Sequence, residues 1–138
     1  MNKTILFAVM VLIGGSISAQ IDTAGFETFA YKEADSTFLM KKYYMLLYKA
    51  GPDRSQDEEE AMEIQKGHLA NINTMATQRV VCMAGPFQDS PDYAGALIFS
   101  VKDTAVIHEW MQKDPAVTSG RLTYEIHPWW AAVGSQLF

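Results

Sequence analysis

The sequence predicts one α+β domain whose elements follow the order βαββαβ. Three observations predict it. A short aromatic and aliphatic run ends at Gly51-Pro52, a stretch with apolar residues spaced by three and four opens after Asp57, and residues 121–127 alternate apolar with polar side chains. At 138 residues, with 49% of them apolar or aromatic, the chain can fill one core without cross-links.

The elements follow in order. Residues 43–48, Tyr-Tyr-Met-Leu-Leu-Tyr, suit a strand better than a helix, and Gly51-Pro52 closes it. Asp57 and the acidic residues 58–60 sit favourably at the positive end of a helix dipole, so a helix is expected to about Thr77, with Ala61, Ile64, His68, Ile72 and Met75 on its inner face. A second strand is expected over residues 79–84, ending at Gly85-Pro86, and a third over residues 94–101. Asp103 or Thr104 can cap a second helix that buries Val106, Ile107, Trp110 and Met111. That helix must stop near Lys113, because Pro115 disfavours helical geometry in Asp114. In the last strand Leu122, Tyr124 and Ile126 oppose Thr123, Glu125 and His127. This order is that of the ferredoxin-like split βαβ arrangement, an antiparallel sheet with both helices on one face. The first and third strands are apolar on both faces, and two helices cover only one. The second face is therefore expected to meet another copy of the chain, making a homodimer, or to be wrapped by the preceding segment.

That preceding segment, residues 20–42, mixes Phe26, Phe29, Tyr31, Phe38 and Leu39 with small and charged residues. It reads as a tether whose aromatic side chains pack on the domain proper, residues 43–138. Before it, Met1-Asn2-Lys3, an apolar run over residues 5–13 and the small residues Gly14, Gly15, Ser16, Ser18 and Ala19 give the order of a secretory signal peptide over residues 1–19. Export to the periplasm or the medium is the expectation. The run is well short of the ~18 residues a membrane-spanning helix needs, so no membrane insertion is expected after signal removal. The net charge is −5, with no long run of like charge, so nucleic acid is not an expected partner.

Cys82 is the single cysteine, which leaves no intramolecular disulfide; within Val80-Val81-Cys82-Met83-Ala84 it reads as a small buried hydrophobe. His68 is the most informative polar residue. An imidazole among apolar positions of a helix is either a satisfied core histidine or a general acid or base, and both readings stay open for it. The positions three and four residues from His68 hold Gln65, Asn71, Ile64 and Ile72, so no metal pair is read there, and no cofactor motif is read anywhere in the chain. His108 is expected on the solvent side of the second helix. His127, before Pro128-Trp129-Trp130, is placed at an interface or a pocket. Asp114 is read as a carboxylate at the negative end of the second helix, a mildly unfavourable place that orienting a histidine would explain. The tandem Trp129-Trp130 reads as core or interface cover, or as an aromatic platform for a ligand.

With these residues in place the domain resembles the YCII-related family. The resemblance covers about residues 43–129. It rests on the Tyr-rich first strand, Gly67-His68-Leu69, Ala84-Gly85-Pro86, and Trp110 followed by Asp114-Pro115 and Gly120. It implies a ferredoxin-like domain paired into a dimeric α+β barrel, with His68 and Asp114 at the positions of the family's proposed active-site histidine and aspartate. Related dimeric barrels include small-molecule lyases, isomerases and cofactor-free monooxygenases, and a few family members look like dehydrohalogenating enzymes. The signal peptide and the long tether depart from the usual member.

Whether the chain is an enzyme stays open between three readings. In the first, His68 moves a proton on a small molecule, Asp114 fixes its tautomer, Gly85-Pro86 shapes the mouth of the cleft, and Asp89 and His127 are further candidate substrate contacts. This reading requires the His68 ring and the Asp114 carboxylate to share one cleft. The second is a non-catalytic envelope module that binds a small ligand or a protein, and the third is a cofactor-free oxygenase on the same scaffold.

Overall fold

A computed structural model describes residues 18–138. The expected signal peptide therefore lies outside the described residues, apart from its last two positions. The elements are β1 (Gln20–Ile21), β2 (Glu27–Glu33), β3 (Ser36–Ala50), α1 (Glu58–Thr77), β4 (Val81–Pro86), β5 (Tyr93–Phe99), α2 (Thr104–Met111), α3 (Pro115–Thr118) and β6 (Leu122–Ala132).

From β3 onward the strands lie in the spatial order β6-β3-β5-β4, and every neighbouring pair is antiparallel. Numbered along the chain these four strands run 4-1-3-2, the ferredoxin-like arrangement that the sequence predicts. Tyr44, Leu46 and Tyr48 of β3 and Leu97 and Phe99 of β5 turn to the helices, where they bury with Met75 of α1 and Ile107 and Met111 of α2. Burial of these large side chains is the main source of stability, in line with the ~25 cal/mol per Å² expected for apolar surface removed from water.

Each helix end has a local cause. The Asp57 carboxylate accepts from the Glu60 N–H at 2.9 Å and opens α1. Its C-terminus closes when Arg79 adopts φ of +59°, so that the Arg79 and Val80 N–H groups donate to Ala76 and Met75. Those two residues are consumed in the cap, which is why β4 begins at Val81 rather than at Arg79. Asp103 caps α2 by accepting from Ala105 N–H at 2.8 Å.

Three expectations are corrected. Residues 20–42 are strands, not a tether: β2 pairs with the first part of β3, from Glu33↔Ser36 to Thr28↔Lys41. Since β6 also pairs with Met40 and Lys41, β2 and β5 lie end to end along the same edge of β3. The extension lengthens the sheet instead of folding over its open face, and Phe29 stacks on Trp130 with centroids 4.8 Å apart. The second correction concerns Cys82, which is exposed. It lies at a β-bulge of the edge strand β4, between Val81↔Phe99 and Met83↔Ile98, and of that strand only its neighbour Val81 joins the core. The third is α3, a short helix that the sequence reading leaves out.

The sheet face away from the helices carries Tyr43, Met45, Leu47, Met83, Ile98 and Trp129, as register and pleat require. Met83 is 45% and Trp129 41% exposed there. Among the described residues no helix is long and apolar enough to cross a membrane.

Candidate functional site

α1 approaches α3 closely because residue 67 is a glycine. A Cβ at Gly67 would lie only 2.6 Å from Cγ of Pro115. The next residue of each segment follows from that contact: His68 on α1 faces Asp114, which precedes Pro115. The Asp114 carboxylate does not close α2, as the sequence suggests, but caps α3. Its Oδ1 accepts from the Ala116 N–H at 2.9 Å, with Pro115 at the first helical turn. The unfavourable placement at a negative helix end becomes a favourable one at a positive end.

Asp114 is fully buried and holds three donors. Besides Ala116 N–H, its Oδ2 accepts from the Tyr48 hydroxyl at 2.9 Å and from His68 Nδ1 at 2.8 Å, and Oδ1 is 3.0 Å from the same nitrogen. Two acceptor oxygens facing Nδ1 require a proton there, so that in the neutral form of the ring Nε2 carries the lone pair. No hydrogen-bond partner of Nε2 occurs among the described residues, yet no sealed side-chain nitrogen lacks one, so Nε2 keeps access to the space beside it. The Tyr48 ring meets the imidazole edge to face at 5.1 Å and fixes its plane. Burial pushes the Tyr48 hydroxyl well above the ordinary phenol range, and the adjacent Asp114 charge adds to that. Tyr48 is thus a permanent donor.

The space beside His68 is a cleft of about 490 Å³ between α1 and the β4–β5 end of the sheet. Its apolar walls include Ile64, Leu69, Ile72, Leu97 and Leu122; Gly85 and Pro86 form one rim, and Arg54 and Arg121 line it too. Gly95 lets the rim close up, since a Cβ there would come within 2.9 Å of the Gly85 carbonyl. Pro86 fits because β4 is an edge strand.

The model of the YCII-related domain matches residues 42–130. The chain belongs to the YCII-related family. No curated protein matches it. Among solved structures it is similar to 5-chloro-2-hydroxyhydroquinone dehydrochlorinase from Burkholderia phenoliruptrix AC1100, in complex with 2,5-dihydroxybenzoquinone. That likeness has 19% identity and a TM-score of 0.46, and covers 62% of this chain and 92% of that chain.

Within this YCII-related domain, His68, Asp114, Gly85 and Pro86 come together, and two other candidates do not. Asp89 is exposed in the β4–β5 loop and does not line the cleft. His127 pairs in register with Met45 on the opposite sheet face, where its Nε2 lies 3.2 Å from Glu125. Odd-numbered residues of β6 all point that way, so the strand's alternation excludes His127 from the cleft. His108 is exposed, as expected, with Nδ1 2.7 Å from the Tyr124 hydroxyl. Sequence reasoning missed Tyr48, Arg54 and Arg121. For Tyr48 a signal exists: it shares the helix-facing pleat of Tyr44 and Leu46, and a buried tyrosine hydroxyl needs a partner.

Proposed function

We propose that this YCII-related protein is an exported enzyme that moves a proton on a small molecule, with His68 Nε2 as the base and then the acid. One observation carries the reading: an imidazole, anchored at Nδ1 by a buried carboxylate 2.8 Å away, stands at the wall of a cleft of small-molecule size. As Nε2 takes a proton the ring becomes cationic, and the Asp114 carboxylate, fixed in place by three donors, stabilises that charge without moving. Asp114 does not itself need to accept the proton. The apolar walls lower the polarity around the acceptor nitrogen, and the Gly85-Pro86 rim limits the ligand's approach.

The signal-like N-terminus supports export, with a mature chain that starts near Gln20. The open sheet face supports a homodimer, because a second copy is the most direct cover for Tyr43, Met45, Leu47, Met83 and Trp129.

The test is hydrogen exchange in deuterated buffer with small compounds that carry one acidic C–H, followed by proton NMR. The mature protein is expected to exchange at least one such proton. His68→Gln, which keeps an amide donor for Asp114, should lose the exchange while its melting temperature stays close to that of the natural chain. Equal exchange by His68→Gln would sink the proposal.

A further inference from the structure

We infer that the cleft selects an anion: a small aromatic or conjugated monocarboxylate, with its carboxylate at Arg54 and Arg121 and its apolar body along α1 toward His68. This deepens the reading of His68 as a proton-transfer group and rests on it for the orientation of the ligand, but its own basis is the charge of the lining.

The chain as a whole is acidic, with 16 carboxylate residues against 11 lysines and arginines. The cleft reverses that balance. Its ionisable lining residues with access to a ligand are Arg54, Arg121 and His68, and no aspartate or glutamate lines it. Asp114 is sealed behind the imidazole at 0% exposure and spends its charge on three donors. A low-dielectric cleft with only positive charge at its rim concentrates an anion there.

The segments that carry the two arginines are joined by backbone bonds. The Gly51 N–H donates to the Arg121 carbonyl at 2.7 Å, and the Asp53 N–H to the Gly120 carbonyl at 3.1 Å, so the loop bearing Arg54 is clipped to the start of β6. Only glycine permits this at residue 51, where a Cβ would lie 2.0 Å from the Gly120 carbonyl oxygen. Gly120 itself holds φ of +76°. Arg121 is oriented by Gln56, whose side-chain oxygen accepts from Nη1 at 2.9 Å, which leaves the remaining donors of the fork for a ligand. Asp53, next to Arg54 in the chain, is engaged by the Ser55 hydroxyl at 2.6 Å and the Ser55 N–H at 3.0 Å; it also feels the Arg121 charge, but it does not line the cleft. Arg54 makes no ion pair among the described residues. The rest of the lining is mainly apolar, with Ile64, Leu69, Ile72, Leu97 and Leu122 as its bulky side chains and Gln65 and Asn73 as neutral polar ones, which suits an apolar ring with room for a polar substituent.

The experiment is calorimetric titration of the mature protein with benzoate, 2-hydroxybenzoate and 1-naphthoate, each against its primary amide. The acids are expected to bind about tenfold more tightly than the amides at low salt, with the gap narrowing as potassium chloride is raised. In the Arg54→Gln/Arg121→Gln double variant the gap should fall to within about twofold. Arg54→Gln alone, at an exposed position that does not threaten the fold, should remove part of it, and Arg121→Lys should retain most. Amides that bind as well as acids, a preference that survives loss of both arginines, or no binding of either set at millimolar concentration would each overturn the inference. Its failure is separable from failure of the proton-transfer reading. His68→Gln should keep the anion preference whether or not it abolishes exchange, and exchange that depends on His68 can be seen with neutral compounds.

Discussion

Gly67 and Pro115 meet so closely that a single added methyl at residue 67 would lie 2.6 Å from the proline ring. Two effects of Gly67→Ala oppose each other. Alanine inside a helix is better than glycine by about 1 kcal/mol. Against that, Pro115 Cγ belongs to a closed ring that cannot swing aside, and overpacking of this kind costs about 1–3 kcal/mol. The clash should win. Gly67→Ala is expected to be destabilised by about 1 kcal/mol in urea unfolding, and to lose far more activity than stability, because separating α1 from α3 lengthens the His68–Asp114 contact. An increase in stability with unchanged exchange would show that the close approach has no role.

Asp114→Asn tests the tautomer rather than the packing. Asparagine is nearly isosteric and its oxygen can still accept from Ala116 N–H, so the fold should survive. Its amide, however, donates where the carboxylate accepts, and a hydrogen bond to Nδ1 then places the imidazole proton on Nε2, removing the lone pair from the cleft. Proton exchange is expected to fall by about 10²- to 10⁴-fold, the usual size of a general acid–base contribution. Nitrogen-15 chemical shifts of His68 would register the tautomer change directly. Unchanged shifts with lost exchange would assign the effect to something other than the tautomer.

The order βαββαβ is legible in the sequence because each core element has a period of its own: alternation in β6, spacing by three and four in α1, short apolar runs in β3 and β5. What was hidden had physical reasons. β2 and the first part of β3 mix charged with aromatic residues at an edge with little buried surface, and the turn between them uses Ala34 at φ of +51°, with no glycine or asparagine to mark it. α3 is too short for periodicity, although Asp114-Pro115 is a legible start signal, a capping carboxylate before a proline at the first helical position. That signal was masked by reading Asp114 as the end of α2. The His68–Asp114 pair was reachable through the resemblance, while Arg54 and Arg121 were not, because the backbone bonds that clip residues 51–53 to β6 leave no pattern in the chain. Cys82 was misplaced because an apolar run says nothing about which edge of a sheet it will occupy.

Tyr48 gives the alkaline limit of stability. Its hydroxyl is raised above the ordinary phenol value in the folded protein, mainly by burial and next by Asp114. In the unfolded chain it would titrate near ~10. A group whose folded value is raised contributes stability that is complete below the unfolded value and is lost as pH climbs past it. The natural chain should therefore lose stability above about pH 10. Tyr48→Phe should weaken that dependence, and should also cost about 1.5–3 kcal/mol at neutral pH through the lost bond to a charged acceptor. Urea unfolding at pH 7 and pH 11 would separate the two effects; identical pH dependence in both chains would mean that Tyr48 is not the responsible group.

The open sheet face makes the last prediction, and Cys82 serves as its reporter. Cys82 is exposed in the single chain, beside Met83 and on the same edge strand, with Trp129 across the sheet. If two copies pair through this face, light scattering after gel filtration should give twice the chain mass, and the Cys82 thiol should react slowly with a maleimide despite its exposure in one copy. Met83→Glu and Trp129→Glu place a charge on the exposed apolar face, one at each outer strand, without touching the helix-facing core, so each should leave a folded monomer whose Cys82 labels at the rate of a free thiol. Burying an uncompensated carboxylate costs several kcal/mol, enough to dissociate a pairing of ordinary strength. A natural chain that runs as a monomer and labels freely would remove the dimer from the proposal, and would leave the His68–Asp114 cleft intact, since every residue of that cleft comes from one copy.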